Sequence, residues 1–135
     1  QLIGPDQVVG IMAARKAELK DAHLEAVGVR LGSNYVIEGA EDDGRCVEFE
    51  NLWYAPKRPE RPEAYYDKAE REFVEVAVEF YEAHPNMGAM MLECTGMQPV
   101  ARAIQRQIDI PIFTWGTLLD FAYSVAVHRD YYGHV

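Results

Sequence analysis

Met87 to Val100, MGAMMLECTGMQPV, is the stretch whose reading decides the fold. Gly88-Ala89-Met90-Met91-Leu92 is a small, apolar run with the length and composition of a buried strand, and it stops at a charge, Glu93. Cys94, Thr95 and Gly96 follow, after which the apolar positions switch to helical spacing at Met97, Val100, Ala101, Ile104 and Ile108. The pattern predicts a strand that hands over to a helix at a cysteine.

That placement has chemical content. The first N–H groups of a helix lack intrahelical partners and the aligned peptide dipoles make that end electropositive, which predicts a thiol drawn toward thiolate. The amides of Thr95 and Gly96 can turn toward an anion, and Gly96 allows close approach of a carboxylate. The same spacing equally describes Cys94 as a small buried hydrophobe, and the pattern does not choose between the two.

Outward from this stretch, the preceding segment reads as a long helix opened by Pro62-Glu63, since proline and acidic residues suit a first turn. Tyr66, Ala69, Phe73, Val76 or Ala77, and Phe80 form its apolar stripe, and His84-Pro85-Asn86 ends it. On the other side, Ile110-Pro111-Ile112-Phe113-Thr114 predicts a short strand. Thr117 to Asp130 predicts a helix that is apolar around most of its circumference, through Leu118, Leu119, Phe121, Ala122, Tyr123, Val125, Ala126 and Val127. Such a helix needs cover on all sides, which points to a second domain or a second copy.

Nearer the start, Val8 to Ala14 is an almost continuous apolar run, the mark of a strand covered on both faces, and Arg15-Lys16 closes it. A helix is predicted from Ala17 to about Val27, stopped by Gly28, and a strand over Asn34 to Glu38, closed by Gly39. Residues 41–62 show no period and read as an irregular loop holding Cys46. The order is strand, helix, four times over. It predicts an α/β fold with a four-stranded, mostly parallel sheet flanked by helices, flavodoxin-like, over residues 1–135 as one domain. Ligands of such sheets bind beyond the carboxyl ends of the strands. Ala14, Arg15, the segment after Gly39, Cys94 to Gly96, and Thr114 to Thr117 should gather there.

Composition narrows the function classes. The 135 residues are 49% hydrophobic, enough for one domain with a core, and 13 basic against 22 acidic residues give a net charge of -9. An acidic chain of this kind is not built for a nucleic-acid backbone. No apolar run approaches the ~20 residues that cross a bilayer, and no membrane partner is expected. Two cysteines without framework spacing fit a reducing cytoplasm. Gln1 to Pro5 leads almost directly into a strand, as in the middle of a longer protein. His23, His84, His128 and His134 form no metal-binding set, and Met87, Met90, Met91 and Met97 suit core packing.

With these residues in place, MLECTGMQPVARAIQRQIDIPIF resembles the carboxyl-terminal half of the aspartate/glutamate/hydantoin racemase family. The resemblance runs from VVGIMAA through HLEAVGV, the long helix and HPNMGAMMLECTGM to TLLDFAYSVAVHRDYYGHV, leaving out residues 41–62. It implies one half of a pseudo-symmetric two-domain protein, with a cysteine from each half and no pyridoxal cofactor or other cofactor. It further implies a small carboxylate substrate, Cys94 as the catalytic thiol, and Thr95 and Gly96 as the anion-binding turn, with Ala14 and Arg15 on the substrate rim. Inverting a stereocentre beside a carboxylate takes two acid/base groups, one on each face of the carbon. Gly96, Met97 and Gln98 stand where glutamate racemases proper carry a histidine and a Tyr-Pro pair. Cys46 has no counterpart to the first half's cysteine, so the implied partner is a missing amino-terminal half or a second copy.

Other readings keep the scaffold and change the reaction. Arylmalonate decarboxylases resemble the chain in using a single second-half cysteine, and maleate isomerases use a cysteine pair. A flavodoxin-like binding module with an inert Cys94 is the alternative from another class.

Overall fold

A computed structural model of the chain describes residues 3–54, 65–130 and 132–133. The helix opening expected at Pro62-Glu63, the basic residues Lys57, Arg58 and Arg61, and His134 lie outside the described residues. The elements in order are β1 (Val8–Ala13), α1 (Asp21–Ala26), β2 (Tyr35–Gly39), α2 (Val47–Trp53), α3 (Tyr66–Glu82), β3 (Met87–Leu92), α4 (Ala101–Ile108), β4 (Ile112–Phe113) and α5 (Trp115–Ala126). Short 3-10 turns cover Lys16–Glu18, Asp42–Gly44 and Thr95–Val100.

All strand pairs are parallel, in the order β2-β1-β3-β4, so the flavodoxin-like α/β expectation holds. The two central strands, β1 and β3, carry the near-continuous apolar runs, because only they are flanked by strands on both edges. On one face, Met12, Met90 and Leu92 pack with Phe49 of α2, with Phe73, Val76, Ala77 and Phe80 of α3, and with Ile104 and Ile108 of α4. The stripe expected on the long helix is the one buried, save Tyr66, which stays exposed and donates its hydroxyl to the Pro99 carbonyl at 2.9 Å. Each large side chain fully buried there is worth about 1.5–3 kcal/mol, so the three-helix face holds the fold.

Several boundaries differ from expectation, each for a physical reason. The single helix read over residues 17–27 is a 3-10 turn and a short α1, split at Leu19, whose ψ of 87° is not helical. The irregular reading of residues 41–62 is corrected by α2, which an alternation of acidic and aromatic residues had concealed. β4 begins at Ile112, after Pro111, which has no N–H to give the ladder. The long first turn after Cys94 is 3-10 up to Pro99 and Val100, and regular α-helix starts only at Ala101. Among the described residues no helix is long and apolar enough to cross a membrane.

Candidate functional site

The carboxyl ends of the four strands form one rim, and backbone hydrogen bonds fix it. Glu93 N–H donates to the Met12 carbonyl at 2.9 Å, locking the end of β3 to β1, while Ala40 and Glu41 N–H groups donate to Ala13 and Ala14 carbonyls at 2.8 and 2.9 Å. Trp115 Nε1 donates to the Thr95 carbonyl at 3.2 Å, which ties the start of α5 to the turn after the thiol. Ala14, Arg15, Glu41, Cys94, Thr95, Gly96 and Thr114 are therefore neighbours on one end of the sheet, as their places in the sequence predicted.

Cys94 stands immediately before the 3-10 turn, in extended conformation, half-buried, its flank packed against the core. The Gly96 N–H donates a hydrogen bond to its sulfur, which favours thiolate, but burial outweighs it, and Glu93 and Glu41 add like charge. The net direction is upward, so the expectation of a thiol drawn toward thiolate is corrected. The reason is local: burial of the half-covered sulfur disfavours its charged form, and the two carboxylates add to that. Thr95 and Gly96 are exposed, and a methyl added at Gly96 would stand 2.8 Å from Phe49 Cε2. The close approach that requires glycine here is to the Phe49 ring.

Arg15 is the centre of a charge cluster. Its Nε lies 3.1 Å from Glu41 Oε2, one terminal nitrogen 2.7 Å from Glu50, and the other 3.4 Å from Glu18. The guanidinium also stacks over the Trp53 and Tyr54 rings, 5.1 and 5.5 Å from their centroids. Three carboxylates thus share one cation. Glu41 was not singled out from sequence, although an acid directly after a strand and Gly39-Ala40 was a usable signal, the same one that marks Glu93. Its carboxylate is 1% exposed, accepts from Trp53 Nε1 at 2.5 Å, and is pushed upward in pKa by burial, against the pull of Trp53 and Arg15.

Cys46 departs from expectation only in its setting. It is the residue before α2, held at φ 45°, ψ 42°, so it too precedes a helix, yet it is sealed in the core. Burial, with Glu72 nearby, pushes its thiol up to about 12. It cannot serve as a proton-transfer group on the rim.

Two open clefts meet Glu93, the residue before the thiol, and Cys94 itself lines neither. One, of about 340 Å³, lies between the ends of β1 and β3 and is lined by Ala13, Ala14, Arg15, Glu18, His23 and Glu93 among others. The other, of about 630 Å³, is apolar and lies between β3, β4 and α5. Glu93 lines both, and Cys94 follows it in the chain. The first cleft sits where the strand order reverses, between β1 and β3, the customary ligand position in open parallel sheets. Among the described residues, no group of three or more His, Cys, Asp or Glu side chains is placed to hold a metal ion. No family model, curated protein or solved structure matches the chain.

Proposed function

We propose that the chain carries one half of the acid/base machinery of a cofactor-independent racemase or isomerase of the aspartate/glutamate/hydantoin racemase kind, working on a small carboxylate in a reducing cytoplasm. The observation that carries the reading is Cys94: a half-buried thiol at the carboxyl end of central strand β3, with the Gly96 amide on its sulfur. A thiol whose pKa is raised rests protonated, and is suited to deliver a proton to one face of a carbanion formed beside a carboxylate. The base that removes the hydrogen from the opposite face is a second group, supplied by an amino-terminal half or a second copy. The exposed Thr95–Gly96 turn is the candidate hold for the substrate carboxylate, because Arg15 is engaged by three glutamates.

The sealed state of Cys46 favours a second reaction on the same site, a decarboxylation in which one thiol suffices. Carbon dioxide leaves, the electron pair stays on the carbon, and Cys94 protonates it. Single enantiomers of aspartate, glutamate and 5-substituted hydantoins, together with aryl malonates, separate the two: loss of optical rotation marks racemisation, and release of carbon dioxide marks decarboxylation. Either activity should vanish in Cys94→Ser and persist in Cys46→Ser. Turnover unchanged in Cys94→Ser overturns both readings.

A further inference from the structure

Two hydrogen bonds meet on opposite sides of one peptide unit. The Thr95 carbonyl accepts from Trp115 Nε1 at 3.2 Å, and the Gly96 N–H donates to the Cys94 sulfur, which stands 3.8 Å from where a Gly96 Cβ would be. In a planar trans peptide the C=O and the N–H bonded to it point in opposite directions, so holding one aims the other. We propose that Trp115 is a positioning residue for the thiol: its indole holds the Thr95 carbonyl, and through that peptide plane keeps the Gly96 amide on the Cys94 sulfur.

The turn gains from an anchor outside itself. Gly96 has no Cβ to restrain the peptide before it, and the bonds of a 3-10 segment are less well aligned than those of an α-helix. The first backbone bond of the segment runs from Met97 N–H to the Cys94 carbonyl at 3.0 Å, so the Gly96 N–H lies ahead of it and has the sulfur as its acceptor. Trp115 suits the task because its own backbone is fixed. Met90 N–H donates to the Pro111 carbonyl at 2.9 Å, seating β4 on β3. Thr117 N–H donates to Thr114 Oγ1 at 3.2 Å and Thr114 N–H to Thr117 Oγ1 at 3.0 Å, which sets the first turn of α5. A methyl at Gly116 would collide with the Gln98 amide, so the same turn of α5 packs on the thiol's turn at a second point. The link lies wholly within this chain. Its weight in catalysis rests on the reading of Cys94 as an acid, whereas the link itself does not.

The pH profile of Cys94 alkylation by iodoacetamide, followed on the full chain by peptide mass spectrometry, tests it. Glu93 and Glu41 are the charges that face the sulfur, and both stay in place when the indole is changed. The cleanest change puts benzothienylalanine at position 115, an isostere with sulfur in place of the indole N–H. Because an amide on the sulfur favours thiolate, loss of the donor should move the profile to higher pH and slow labelling at pH 8 about threefold. Trp115→Phe, with unchanged far-ultraviolet circular dichroism, should do the same. An unmoved profile in the isostere overturns the proposal, as does slower labelling in Trp115→Phe that the isostere fails to reproduce. The readout is the thiol itself, so the outcome is separate from the reaction assigned to Cys94.

Discussion

Arg15 Nε and Glu41 Oε2 meet at 3.1 Å across the ends of β1 and β2, and this ion pair joins the two strands at the rim where ligands of such sheets bind. Because the Glu41 carboxylate is 1% exposed, its charge depends on that partner and on Trp53. Arg15→Met removes the cation while leaving the buried acid, and should cost about 3 kcal/mol in urea unfolding. Arg15→Lys, which lacks the planar fork, should recover only part of the loss.

Glu41 also sets a pH dependence whose sign follows from its upward shift. The folded state holds this proton more tightly than the unfolded chain, so stability is favoured below the ordinary carboxylate range and is lost as pH rises through the folded pKa. Subtracting the unfolding free energy of Glu41→Gln from that of the wild type, measured from pH 4 upward, should give a difference that becomes less favourable to the wild type as pH increases. A difference that grows in its favour over the same window contradicts the assignment.

The two thiols should part clearly under alkylation. Cys94 is half-buried and raised by burial and by Glu93, whereas Cys46 is sealed and pushed up to about 12. Iodoacetamide at pH 8 should label Cys94 slowly and leave Cys46 untouched until the chain unfolds. Glu93→Gln removes a like charge and should raise the Cys94 rate about twofold. Peptide mass spectrometry reads both outcomes.

Gly96 and Phe49 form a steric pair. Gly96→Ala sets a methyl against the ring, which also packs edge-on to Phe73 with centroids 4.8 Å apart, and should destabilise by about 1–3 kcal/mol. Phe49→Ala alone should cost about 3–5 kcal/mol through the cavity it leaves. The double variant should be more stable than the sum of the two losses, since the methyl enters the space the ring vacates.

The parallel α/β alternation and the rim were legible because β1 and β3 declare themselves by uninterrupted apolar runs, and because Glu93-Cys94 ends the second of these so sharply. The buried stripe Ala69, Phe73, Val76, Ala77 and Phe80 was legible from its period. α2 was not: Glu48 is buried where it accepts from Lys68 at 3.0 Å, so a charge occupies an inward position and hides the helical pattern. Nor was the chemistry around the thiol legible in full. The Arg15 hub joins Glu41, Glu50 and the aromatic pair Trp53-Tyr54 through tertiary contacts that no local spacing encodes, and only its i,i+3 contact with Glu18 is local. The direction of the Cys94 shift follows from burial first and from Glu93 and Glu41 after it, whereas strand-to-helix position alone had pointed the other way.

Deuterium wash-in tests the central claim most directly, because a single thiol that protonates one face of a carbanion leaves solvent deuterium on the substrate carbon. Incubation of the protein in D2O with aspartate, glutamate and 5-substituted hydantoins, read by proton NMR, should show exchange next to the carboxyl or carbonyl group for at least one of them. The deuterium carried into the inverted enantiomer, separated on a chiral column, should be retained in Cys46→Ser and absent in Cys94→Ser, in which the opposing base can still return a deuteron to its own face. Deuterated inverted product that persists without the Cys94 sulfur, or no exchange with any of these substrates in the wild type, contradicts the account.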